Sequence, residues 1–159
     1  TEDIHQEMKI TSDNIAVRCV RTLRDVQLSP VAAAWGSFTR AVTRIHRQKW
    51  TPPNTINIEL IMENEENKIT INHDHIMTPE TEKTCHYLFG FTRDYNIEKG
   101  YPTDKDVRRE QETIIGTEDI PMVEAQQLNK TRFDDPQDVP GQADKFLIAV
   151  HKRIEEITG

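Results

Sequence analysis

The run Thr55-Ile56-Asn57-Ile58-Glu59-Leu60-Ile61-Met62, followed after a polar stretch by Lys68-Ile69-Thr70-Ile71-Asn72-His73-Asp74-His75-Ile76-Met77, decides the fold. Both runs alternate with period two, the signature of strands with one face turned inward. Ile56, Ile58 and Leu60 share a face in the first. In the second, Ile69, Ile71, His73 and His75 share one face, and Thr70, Asn72, Asp74 and Ile76 the other. The link Glu63 to Asn67 is too short for a crossover, so the two strands are antiparallel.

Working outward, the same pattern recurs on both sides. Val42 to Trp50 reads as a strand closed by Thr51-Pro52-Pro53, and Lys83 to Arg93 as an aromatic-rich strand after the turn Thr78-Pro79-Glu80-Thr81. Upstream, Met8 to Thr11 and Ile15 to Val20 flank Ser12-Asp13-Asn14 as a hairpin. Val31 to Trp35 is short and rich in small residues, and fits either a helical turn or a surface loop. After Gly100-Tyr101-Pro102 the period becomes helical. Thr103 and Asp106 have capping-box spacing, and Val107, Gln111, Ile114 and Ile115 follow on one face. Gly116 and Pro121 predict a kink or a second helix start, after which Met122, Val123, Gln126 and Leu128 continue. The linker Phe133 to Gly141 precedes a last helix with an apolar stripe of Ala143, Phe146, Leu147, Val150, Ile154 and Ile157. The expected architecture is α+β: a curved antiparallel sheet with a long C-terminal helix lying across its concave face, a helix-grip arrangement that encloses a cavity.

The chain has 159 residues, one domain's worth, with a net charge of −7. An acidic balance gives no electrostatic footprint for nucleic acid or an anionic membrane surface. No apolar run reaches the length of a membrane span. Two cysteines, Cys19 and Cys85, are too few for a disulfide scaffold, and the expectation is reduced thiols in a cytoplasm. The hydrophobic fraction, 35%, is thin for a self-sufficient core, and the chain starts at Thr1 without a recognisable domain start. Both features suggest a piece of something longer.

Three places carry candidate chemistry. Asp119 lines up with Ile115, Met122, Val123 and Gln126 at helical spacing, so its carboxylate either lies on an apolar face and needs a cation, metal or strong donors, or is turned outward or used as a cap at the helix break. His73 and His75 sit at i, i+2 in line with two isoleucines, either facing a cavity as a metal pair or substrate donors, or standing at the rim once the strand has left the core. Cys85 and His86 are adjacent on a strand, point to opposite faces and cannot form a dyad. His5, His46 and His151 have no partner at ligand spacing and read as surface groups. No P-loop, dinucleotide fingerprint, G-x-S-x-G or H-E-x-x-H is present.

Two strings carry a family resemblance. Ile76-Met77-Thr78-Pro79-Glu80-Thr81-Glu82-Lys83-Thr84-Cys85-His86-Tyr87-Leu88-Phe89-Gly90-Phe91-Thr92-Arg93 resembles the T-P-E-T-E-x-x-x-H-Y-F-W-x-x-x-R segment of vanillate O-demethylase-type oxygenases. Thr117-Glu118-Asp119-Ile120-Pro121-Met122-Val123-Glu124-Ala125-Gln126-Gln127 resembles their E-D-x-x-x-x-E-A-Q-Q helix, in the same order along the chain. The resemblance implies the terminal oxygenase component of a Rieske non-haem iron monooxygenase, with a START-like catalytic domain that demethylates or hydroxylates an aromatic or related small substrate with O₂. It implies that Asp119 is the iron carboxylate, that His75, with His73, orients substrate, that Ile71 is apolar wall, and that His86 is structural. It further implies a mononuclear Fe(II), a [2Fe–2S] Rieske cluster in an N-terminal domain, an NADH-dependent reductase and a trimer-like ring of subunits.

This sequence also departs from the family pattern. It has no C-x-H paired with C-x-x-H for the cluster, and none of its histidines forms the H-x₄-H pair that supplies two iron ligands. Residues 1–159 are therefore expected to be the C-terminal part of a catalytic domain, with the Rieske domain and first iron-ligand helix elsewhere. The isolated chain is expected to hold no metal and to be inactive. The alternative is a non-catalytic helix-grip binding module that keeps the cavity alone.

Overall fold

The computed structural model describes residues 6–98, 100, 102–132, 141 and 144–159. His5, Tyr101, Ala143 and all of the expected linker but Gly141 lie outside the described residues. Two compact units are distinguished, residues 1–95 with 141–159, and residues 96–140.

In the first unit, six strands form one antiparallel meander in sequence order: β1 (Gln6–Ser12), β2 (Val17–Val26), β3 (Val42–Thr51), β4 (Thr55–Glu63), β5 (Lys68–Pro79) and β6 (Cys85–Arg93). The β1–β2 turn forms where expected, because Asp13 Oδ1 accepts from the amides of Ile15 and Ala16 at 2.8 and 2.9 Å. Helix α1 (Pro30–Gly36) resolves the ambiguous small-residue stretch. The Ser29 hydroxyl caps it and proline opens it, at the one place where a missing amide hydrogen costs nothing. Helix α4 (Lys145–Thr158) is the expected C-terminal helix. The chain is α+β, a curved six-stranded antiparallel sheet with helices.

Register assigns every strand side chain to a face, since cross-strand partners share one. One row runs Val17, Trp50, Ile56, His75, Phe89, and the next Cys19, Gln48, Ile58, His73, Phe91. Then come Arg21, His46, Leu60, Ile71, Arg93, and finally Leu23, Arg44, Met62, Ile69. This is the inner face. On the outer face polar pairs span the strands, including Arg47 with Glu59 at 2.7 Å and Asn57 with Asp74 at 2.6 Å.

Two apolar clusters cover opposite ends of the inner face. Helix α4 closes one, where Val17, Trp50 and Val150 are buried with Ile10, Ile56, Phe146, Ala149 and Ile154 packed against them. Phe38, Val42, Met62, Ile69, Ile71 and Tyr95 form the other, with Trp35 of α1, Leu60 and Phe91 around them. Gly36 lets the chain reverse tightly there, for an added Cβ would run into the Phe38 ring. The expected stripe on α4 needs correction. Leu147 is exposed because it lies about 100° round the helix from Phe146, and Ile157 in the last turn is exposed too, while Ala149 takes a place on the sheet.

The second unit holds α2 (Asp104–Ile114), a π-helical turn (Ile115–Asp119) and α3 (Ile120–Arg132). The capping box at its start is as expected: the Thr103 hydroxyl accepts from the Asp106 amide at 3.2 Å, and the Asp106 carboxylate accepts from the Thr103 amide at 2.9 Å. Thr103→Ala is expected to cost about 1 kcal/mol, read as a shift in the unfolding midpoint that Thr103→Ser largely restores. No helix among the described residues is long and apolar enough to cross a membrane.

Candidate functional site

The interruption expected between Gly116 and Pro121 is a widened turn in a continuous helical run. The Ile120 amide donates to the Ile115 carbonyl five residues back, and Pro121, without an amide hydrogen, donates no helical bond. One extra residue in the turn rephases the helix, so the stripe before Gly116 does not continue in register after it. Asp119 closes this turn and is exposed. Of the alternatives open for it, outward placement is the one found. Such π turns occur often at functional sites, where the rephasing aims a side chain that a regular helix would place elsewhere. Along α3, Ile120, Met122, Val123 and Leu128 are exposed as well.

On the sheet, His73 and His75 lie on the inner face. Both are half-buried, on either side of exposed Asp74, and their rings stack at 6.0 Å. Strand β6 supplies flat neighbours: Phe89 and Phe91 lie edge-on to His73 at 5.7 and 5.1 Å, and Tyr87 stacks on His75 at 5.9 Å. His75 Nδ1 and the Tyr87 hydroxyl are 2.6 Å apart. The hydroxyl either donates to Nδ1, which leaves the ring proton on Nε2, or accepts from an Nδ1 proton, and in both cases it holds the ring's orientation. Burial, then the neighbouring His75, holds His73 below the ordinary imidazole range. Ile71 is 1% exposed inside the α1-side cluster, so it backs this surface from within the core.

His46, read from sequence as a surface group, is corrected by the structure. It lies on the inner face in the row of Arg21 and Leu60, half-buried, with Nε2 buried and without a hydrogen-bond partner among the described residues. Burial, then Arg44, Arg21 and His73, hold its pKa down to about 4. The two arginines were missed altogether. Their signal was parity, since Arg21 follows Val17 and Cys19 at i, i+2, and Arg44 and His46 precede Trp50 on the same alternation. His151 and His86 are exposed, the latter with Nε2 3.8 Å from Glu80. Cys85 is an exposed free thiol and Cys19 a buried one, pushed up by burial.

His46 gives a pH dependence with a definite sign. Its pKa is depressed from 6.5 to about 4 on folding, so between these values the unfolded chain binds more protons. The stability it contributes is complete above about pH 6.5 and is lost as pH falls through about 4. Urea midpoints across this window are expected to drop toward acid, with a shallower drop in His46→Gln. An equal drop in both would contradict the assignment.

Among the described residues, no three His, Cys, Asp or Glu side chains converge on a point that could hold a metal ion. Asp119 is one carboxylate, and among the described residues no such group forms around it.

The sequence matches the family model of the vanillate O-demethylase oxygenase C-terminal domain over residues 1–158. No curated protein matches it. Among solved structures, dicamba monooxygenase bound to 3,6-dichlorosalicylic acid aligns with a TM-score of 0.82 at 21% identity, covering 95% of this chain and 46% of that one. The apo form aligns at 0.74 and 20% identity, covering 94% and 48%. The form with non-haem iron and dicamba aligns at 0.72 and 20%, with the same coverage, 94% and 48%. The chain therefore spans just under half the length of these monooxygenase chains, and at this identity the likeness is one of fold.

Proposed function

The chain belongs to the family of vanillate O-demethylase oxygenase C-terminal domains, and on that premise we propose that it is the substrate-pocket and iron-carboxylate portion of a Rieske-type terminal oxygenase. The observation that carries this is the π turn ending at Asp119. It sets an exposed carboxylate at the break of a helix whose sequence follows the family's E-D-x-x-x-x-E-A-Q-Q string. Asp119 is one donor to a mononuclear Fe(II), a metal that elsewhere takes two histidines and a carboxylate and leaves positions open for O₂. The two histidine donors and the [2Fe–2S] cluster belong to sequence outside residues 1–159.

What these residues contribute is binding and orientation. His75, oriented by Tyr87, presents its other ring nitrogen to a polar substrate group, and His73 with Phe89 and Phe91 gives flat contact to a ring. Ile71 holds that surface rigid from behind. The substrate is a small aromatic or related molecule, oxidised by O-demethylation or hydroxylation, with electrons from an NADH-dependent reductase. The setting is a cytoplasmic, trimer-like ring in aromatic catabolism. The apolar side chains exposed on α3 suit a helix that packs against the rest of a longer catalytic domain.

Reading the coding sequence upstream of Thr1 tests this first. The expected finding is an in-frame Rieske motif followed by H-x₄-H. A stop codon and a fresh start there would favour a non-catalytic binding module.

A further inference from the structure

The connection from β2 to β3, residues 27–41, folds across one end of the inner face. Leu28, Trp35 and Phe38 pack there into the cluster that holds Leu60, Ile71 and Phe91, and Trp35 stacks on Tyr95 at 5.6 Å. The other side of the segment is wet, with Val31 exposed. Its helix α1 has seven residues, too few to be stable alone, so its order comes from what holds it.

On the polar side, the β4–β5 turn grips it at three points. Asn67 Nδ2 donates to the Gly36 carbonyl at 2.8 Å, at the last residue of α1. The Glu66 carboxylate accepts from the Thr39 amide at 2.7 Å and from the Thr39 hydroxyl. Asn64 Nδ2 donates to the Ala41 carbonyl at 3.4 Å. The turn is itself braced, since Asn64 Oδ1 accepts from the amides of Glu66 and Asn67 at 2.8 and 3.1 Å. The Thr39 hydroxyl, then its amide, hold Glu66 below the ordinary carboxylate range, so the grip is that of an ionised acceptor. Two non-glycine residues have left-handed backbone: Asp25 (φ 55°), in the bulge near the end of β2, and Ser37 (φ 54°), at the end of α1. Such conformations persist only while surrounding contacts hold them, so these are the points where the chain gives.

We propose that residues 27–41 are a hinged cover, latched by the β4–β5 turn, and that its opening is the way onto the aromatic surface beside His73. The cover packs against Phe91 and Ile71, and Phe91 lies edge-on to His73 at 5.1 Å, so lifting it bares that side of the imidazole. A short segment held by a few apolar side chains and surface hydrogen bonds opens at less cost than the strands beneath it, which are paired on both sides. The route onto His73 rests on the substrate-surface reading above; the cover and its latch do not.

The test is amide hydrogen exchange of the whole chain. Ala33 and Phe38, whose amides donate to Ser29 and Ala33 carbonyls at 2.9 Å, report on the cover, and Thr39 on the latch. In Glu66→Gln, protection at all three is expected to fall together by about tenfold, while Ile45 and Ile61 inside the sheet keep theirs. Asn67→Asp removes the donor to Gly36 but keeps the oxygen that accepts from Lys68, and is expected to act in the same direction. Carbethoxylation of His73 by diethyl pyrocarbonate, read by peptide mass against exposed His151, is expected to speed up in both variants. Unchanged protection at Ala33 and Phe38, a loss confined to Thr39, or a loss shared equally by Ile45 and Ile61 would overturn the cover. His73 labelling that stays constant while α1 loosens would overturn the route. If Glu66→Gln does not fold, Asn67→Asp decides. Neither readout uses iron or a substrate, so failure of the oxygenase reading, which iron at Asp119 tests, is seen separately.

Discussion

On the proposed reading, Asp119→Ala in the intact protein is expected to abolish stoichiometric mononuclear iron, and turnover with it, while leaving the fold in place. The two halves of this result come from separate observations. Asp119 is exposed, so truncating it removes no buried contact and is expected to change stability by less than about 0.5 kcal/mol. On the proposed reading it is one iron donor, and no group of three or more His, Cys, Asp or Glu among the described residues stands in for it. Second-sphere changes at metal sites typically cost about 10–100-fold in affinity, and loss of a direct ligand is expected to cost more. Iron per subunit by plasma emission, together with the thermal midpoint, checks both. Full iron in the variant would remove Asp119 from the site. A collapsed midpoint would show instead that the carboxylate is structural.

Trp50→Ala is expected to have the largest effect on stability, about 3–5 kcal/mol. Trp50 is 3% exposed and joins β3 to α4 through Val17 and Val150. Removing the indole leaves a cavity under the helix that strands pinned by hydrogen bonds on both sides cannot close. Total stabilities of single domains are only about 5–15 kcal/mol, so the variant should be near unfolding at ambient temperature. Ile157→Ala in the same helix touches an exposed residue and is expected to stay within about 0.5 kcal/mol. Urea unfolding of the three proteins checks this. A Trp50 variant within 1 kcal/mol of wild type would mean that α4 is not held by this cluster.

The parts of the fold legible in the sequence are those written in local periodicity. The alternation at Ile69, Ile71, His73 and His75 gave both the strand and the face on which two imidazoles lie, and Thr103 with Asp106 marked the start of α2. Short turns between strands forced the meander. Less legible was anything set by more than one element. That Gly116 and Pro121 interrupt a helix is local; that the interruption is a widened turn ending at Asp119, with no break, depends on how the helix restores its backbone bonds. Leu147 and Ile157 look equivalent to Val150 until the area of sheet available to α4 is known. His46 shows the limit most plainly. Judged by ligand spacing it is alone, and only the register of β2, β3 and β4 puts it beside Arg21, Arg44 and His73. The candidate site divides the same way: Asp119 inside one motif string and His75 just before the other are readable in a line of sequence, whereas the grouping of His46 with Arg21 and Arg44 is a property of adjacent strands.

Anomalous diffraction at the iron edge, from crystals of the intact protein, tests the central claim most directly. The account predicts a peak at coordination distance from the Asp119 carboxylate, completed by two histidines from sequence outside residues 1–159. An iron peak with no contact to Asp119, or none at all in active protein, would contradict it.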